Sequence, residues 1–150
     1  MKKLVLWLLA AVVATGAFMS CAHRGADEGS VEAVVERVWQ FGQSHSDGFT
    51  LDVRAMQEPA EGIAVSYAAT QHSHSRARLA FVVQHALGHD GYVGGWLDTE
   101  SGLYYFDSVC LFPEDQLDAA LAFARENGQT AVYVISTGEE IRLEEMQIAA

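Results

Sequence analysis

An apolar run from Leu4 to about Met19, preceded by Lys2 and Lys3, takes the first twenty residues out of any globular core. A cationic start, an apolar middle and small residues near the end are the three parts of a secretory leader. A membrane-spanning helix needs roughly 20 apolar residues, and this run is marginal for one, so a cleaved leader is expected in place of a permanent span. Residues 1–20 are therefore read as a signal peptide, 21–29 as a tether and 30–146 as a single domain. What remains, roughly 130 residues, is enough for one hydrophobic core and too little for two.

The end of the leader, Phe18-Met19-Ser20-Cys21, resembles the lipobox of bacterial lipoproteins, in which a small residue precedes a Cys that receives lipid before cleavage. That resemblance implies a membrane-anchored lipoprotein of the bacterial envelope, held through lipid on Cys21. Ser20-Cys21-Ala22 also reads as the small-x-small site of ordinary cleavage, which would release a periplasmic or secreted protein. On either reading the second of the two cysteines, Cys110, has no partner for an intramolecular disulfide. Set in an apolar run without a nearby His or basic residue, it is expected to be a small buried hydrophobe and not a reactive thiolate.

Nine basic against twenty acidic residues give a formal charge of −11, and loss of Lys2 and Lys3 with the leader makes the remainder more acidic still. Such a balance argues against nucleic acid or anionic lipid head groups as partners. It serves solubility, or attraction to a cationic partner.

Ser30 is placed to cap a helix whose inner stripe is Val31, Val34, Val35 and Val38. Gly48–Val53 and Ile63–Tyr67 read as two strands of a hairpin, followed by a helix over Arg76–Leu87 with Leu79, Val82, Val83 and Ala86 inward and Gly88 to end it. Tyr92–Asp98 and Leu103–Leu111 form a second hairpin around Thr99-Glu100-Ser101-Gly102. Pro113 suits the first position of a helix carrying Leu117, Ala120, Leu121 and Ala124, stopped at Gly128. Thr130–Ser136 and Glu139–Leu143 are paired through Thr137-Gly138. The resulting fold class is α+β, an antiparallel or mixed sheet with helices on one face, in the order α-ββα-ββα-ββ. The two ββα units begin about 43 residues apart, which hints at an internal duplication.

With Thr99–Gly102 as the loop, Asp98 faces Leu103, Trp96 faces Tyr105, and Gly94 and Gly95 face Asp107 and Phe106. Glycines in a strand let a ring or a backbone approach, and Trp96, Asp98, Tyr104, Tyr105 and Asp107 are the candidate ligand platform. The histidines are the other candidates. His85-Ala-Leu-Gly-His89 resembles the HExxH zinc-protease motif, with Ala86 where the general base belongs. His72, His74, His85 and His89 form an alternative metal set, the zinc-dependent hydrolase reading. No metal, cofactor or catalytic residue is expected on the favoured reading.

Gly94-Gly95-Trp96-Leu97-Asp98, Tyr104-Tyr105-Phe106-Asp107-Ser108-Val109, Glu126-Asn127-Gly128-Gln129 and Glu139-Glu140-Ile141-Arg142 resemble the successive blocks of a small uncharacterised domain of phage, mobile elements and gut-type bacteria. The resemblance covers roughly Phe49 to Leu143; it implies a domain boundary and carries no catalytic residue with it. The expected function is an exported, lipid-anchored, non-catalytic binding domain for a protein or peptide. The alternatives are the zinc hydrolase and an inhibitor or immunity-type protein that covers a cationic partner. A Cys21→Ser chain should lose lipid labelling and accumulate as uncleaved precursor. Correct trimming and unchanged membrane retention of that variant would reject lipidation.

Overall fold

The computed structural model describes residues 29–144, so the leader, Cys21, the tether up to residue 28 and positions 145–146 lie outside the described residues. Three helices and six strands follow one another as α1 (Val31–Ser44), β1 (Phe49–Asp52), β2 (Ile63–Ser66), α2 (Arg76–Gly88), β3 (Tyr92–Asp98), β4 (Leu103–Phe112), α3 (Leu117–Glu126), β5 (Ala131–Val134) and β6 (Glu139–Arg142). The fold is α+β, and every strand pair in the sheet, ordered β1-β3-β4-β2-β5-β6, is antiparallel. Among the described residues no helix is long and apolar enough to cross a membrane.

Directly paired residues of an antiparallel ladder share a face. Phe49, Leu51, Val93 and Phe106 therefore lie on one face with Ile63, Val65 and Val132, and all seven are buried. All three helices cover this face. The inner stripes of α1 (Val34, Val35, Val38) and α2 (Leu79, Val82, Val83, Ala86) close over β1, β3 and Phe106, while Ala120, Leu121 and Ala124 of α3 close over β2 and β5. Fully burying each of the Val, Leu, Ile and Phe side chains among these stabilises the fold by ~1.5–3 kcal/mol before conformational entropy is subtracted.

Local signals set the helix ends. The Ser30 and Ser75 hydroxyls accept from Ala33 N at 3.2 Å and Arg78 N at 3.3 Å, capping α1 and α2. At the end of α3, Gly128 takes the left-handed conformation (φ 63), and Gln129 N and Gly128 N donate to Ala124 O and Arg125 O, a Schellman closure. Pro113 departs from its expected role: it precedes a short 3₁₀ turn, Glu114–Gln116, and α3 begins only at Leu117.

One pairing expectation fails. β1 and β2 do not form a hairpin; β1 pairs with β3 and β2 with β4, so the β3–β4 hairpin is inserted between them. The chain between them favours this arrangement, because Asp52 N donates to Gln57 O and Asp52 Oδ1 accepts from Arg54 N and Ala55 N, folding the segment back on β1. The first ββα unit is thus split where the second is closed, and the two do not repeat one pairing scheme.

The β3–β4 register is the expected one, with Gly95 opposite Phe106 and Trp96 opposite Tyr105. Rings from Phe49 and Tyr104 fill the space over Gly95, where an added Cβ would meet Phe49 Cζ at 2.8 Å and Tyr104 Cε1 at 2.9 Å. Gly95→Ala should therefore lower the unfolding free energy by about 1–3 kcal/mol. Gly88→Ala, at a helix position with nothing within 4 Å, should leave it unchanged or raise it by up to about 1 kcal/mol. Denaturant unfolding of both variants checks this, and equal stability of Gly95→Ala and the parent would show that the rings do not rest on that glycine.

Candidate functional site

Among the described residues no helix lies on the other face of the sheet. Alternation along β3 and β4 sends Trp96, Asp98, Leu103, Tyr105, Asp107 and Val109 to it, and β5 adds Tyr133. Trp96 is 48% exposed, Tyr133 45% and Leu103 40%, an unusual concentration of large apolar side chains for one open sheet surface. Cross-strand pairing lays the Trp96 ring on Tyr105, with centroids 5.0 Å apart and planes 21° apart, and His74 meets the edge of Tyr105 at 5.7 Å.

Beside this aromatic stack sits a nearly buried carboxylate. Asp107 is 7% exposed and stands opposite Gly94, which has no side chain to offer it. Its Oδ2 accepts from Trp96 Nε1 at 3.3 Å, a long and weak hydrogen bond, and its Oδ1 is buried with no hydrogen-bond partner among the described residues. Burial pushes the carboxyl up to about 6, opposed by the Trp96 hydrogen bond and by the nearby His72. His72 is brought there by a left-handed backbone (φ 62) in the connection that leads into α2.

Two members of the expected platform belong elsewhere. Tyr104 points to the helix-covered face, where its hydroxyl donates to His45 O at 2.7 Å and ties the end of α1 to the sheet; burial pushes this phenol up to about 12. Asp98 shares the open face but closes its own hairpin loop, accepting from Ser101 Oγ at 2.6 Å and Glu100 N at 3.0 Å. The Ser101 hydroxyl, with the Glu100 amide, holds it below the usual carboxylate range. Trp96, Tyr105 and Asp107 are brought together.

The four histidines are not. His85 and His89 lie on the helix-covered side, rings stacked at 3.9 Å, with His85 Nδ1 engaged with Ser108 Oγ at 3.0 Å and His89 Nδ1 with His85 O at 2.7 Å. His74 lies against Tyr105 on the open face, and α2 ends at Gly88, leaving His89 as its cap. Among the described residues no group of three or more His, Cys, Asp or Glu side chains could hold a metal ion. His72 and His74 thus stand by Asp107 and Tyr105, apart from the stacked His85 and His89.

Sequence reasoning missed a polar seam between α2 and α3. Tyr67 stands in it, its ring 5.0–5.1 Å from His85, His89 and Phe123, and its hydroxyl donates to Asp90 Oδ2 at 2.6 Å. Burial raises the Tyr67 phenol far above its ordinary value and lowers the His85 imidazole, which the neighbouring His89 lowers further. Cys110 lies alongside, half-buried where full burial was expected, with its thiol pushed up to about 11 by burial. The Ser108–His85 contact is not a nucleophile and base: Ser108 is fully buried and no carboxylate hydrogen-bonds His85 among the described residues. A cavity of about 460 Å³ at the far end of β2 is lined by Glu61, Phe112 and Glu114, but Ser136 and Gly62 N already engage the Glu114 carboxylate and hold it below its usual range.

Folded Asp107 keeps its proton up to about pH 6, whereas in the unfolded chain it is lost near 3.8. Its contribution to stability is therefore full below pH 3.8, falls as pH rises through this window, and is gone above about pH 6. Relative to Asp107→Asn, the parent should lose about 3 kcal/mol between pH 3.5 and 7. Parallel curves of unfolding free energy against pH for the two proteins would place Asp107 in solvent.

No protein-family model matches this chain, and neither does any curated protein or solved structure, so a functional reading rests on the geometry of the open face.

Proposed function

We propose that this chain is an exported binding domain that engages a protein or peptide through the helix-free face of its sheet. One observation carries the reading: on that face the exposed Trp96 ring stacks on Tyr105 beside a buried carboxylate whose second oxygen has no hydrogen-bond partner among the described residues. A partly exposed Trp–Tyr stack supplies rigid contact area at low cost in side-chain entropy, which is what protein-recognition surfaces use. The unpaired carboxylate costs stability, about 1–3 kcal/mol for an unsatisfied buried acceptor, and sites that retain such costs are biased toward function.

The leader-like Lys2 to Met19 segment and Ser20-Cys21 support presentation of this domain at a bacterial membrane through lipid on Cys21. Strong negative charge supports a partner that is neutral or basic, and it argues against nucleic acid. The domain then acts by holding its partner and not by chemistry.

The full-length chain, solubilised in detergent and immobilised, should retain its partner from an envelope extract. Retention should survive Phe81→Ala, on the outer side of α2 where Phe81 is 41% exposed, and fall at least tenfold with Trp96→Ala. Retention that depends on Phe81 and ignores Trp96 would move the binding surface to the helices and refute the open-face reading.

A further inference from the structure

We propose that Trp96, Tyr105 and Asp107 together form a receptor for one arginine side chain of a partner polypeptide. This rests on the open face being the binding surface and adds the chemistry it selects. Among the described residues Asp107 Oδ1 is buried and has no hydrogen-bond partner, so an added donor would reach the carboxylate as the Trp96 indole that covers it moves aside. The bond that covers the carboxylate is weak: Trp96 Nε1 lies 3.3 Å from Oδ2, and the indole is half exposed and free to yield to a stronger donor.

A guanidinium fits both halves of the site. Its planar fork of N–H groups donates to two carboxylate oxygens at once, and its face stacks on aromatic rings, which a compact ammonium does less well. The Trp96 and Tyr105 rings, nearly parallel at 21°, offer the stacking surface beside the carboxylate. Among the described residues no arginine hydrogen-bonds or pairs with Asp107: Arg54 donates to the carbonyls of Leu87, His89 and Asp90 at the end of α2, Arg76 pairs with Glu36, and Arg142 pairs with Glu140. A net charge of −11 over the chain favours association with a basic segment over an acidic one.

The test uses the full-length chain in detergent, with the Trp96 indole N–H followed by NMR. The probes are a blocked Gly-Arg-Gly peptide, its citrulline counterpart, which has the same shape without charge, and its lysine counterpart. The arginine peptide should move the Trp96 signal, with citrulline at least tenfold weaker, lysine several-fold weaker, and Asp107→Asn weakening the arginine peptide at least tenfold. Should Asp107→Asn fail to fold, Tyr105→Leu, which keeps the carboxylate, should show a similar loss. Equal responses to arginine and citrulline, or an arginine response indifferent to these variants, would overturn the proposal. If the arginine peptide leaves Trp96 unmoved while retention of the natural partner still requires Trp96, the arginine assignment fails and the open-face reading stands. If retention also ignores Trp96, both fail.

Discussion

Strand β4 is hydrogen-bonded along both of its edges, and the rest of the molecule is arranged by that fact. On one side it pairs with β3 from Leu103 to Val109; on the other it pairs with β2 from Val109 to Phe112. Where β2 ends, the connection into α2 continues the edge without being a strand: Tyr67 N donates to Ser108 O, Ser108 N to Thr70 Oγ1, and Phe106 N to Ser73 O. Thr70 and Ser73 are fully buried for this reason, since each completes a ladder that would otherwise leave β4 groups unpaired. The same connection delivers His74 to Tyr105 and His72 to the neighbourhood of Asp107.

The two faces of β4 then meet different surroundings. Inward, Phe106 belongs to the core under α1 and α2 and Phe112 to the core under α3, while Ser108 and Cys110 between them are too small to join the two. Tyr67 occupies that gap, holding Asp90 on the α2 side and packing on Phe123 of α3. Outward, Tyr105 and Asp107 meet Trp96 and Gly94, and with no side chain at Gly94 the only cross-strand side chain that reaches Asp107 among the described residues is the diagonal Trp96. The inward face is closed by helices, and the outward face is left with an unpaired charge and exposed rings.

Short-range pattern made much of this legible. Helical stripes such as Leu79, Val82, Val83 and Ala86 are fully buried as their spacing requires, and the Asp98–Leu103 closure fixes the whole β3–β4 register because a four-residue loop leaves little choice. Trp96, Tyr105 and Asp107 were readable for the same reason. Tyr104 was not separable from Tyr105 until the direction of the core was known, since neighbours on a strand face opposite ways. The β1–β2 pairing was misread because adjacency in sequence is only a tendency, and insertion of a hairpin between two strands leaves no local trace. Tyr67 and Asp90 are 23 positions apart, and no periodicity joins them.

The account places binding on the open sheet and structural support on the helices, and site-specific photo-crosslinking separates the two most directly. A photoreactive residue in place of Leu103 or Tyr133, both exposed on the open face, should link the partner in living cells, and one in place of Phe81 should not. Links from position 81 with none from 103 or 133 would contradict the account.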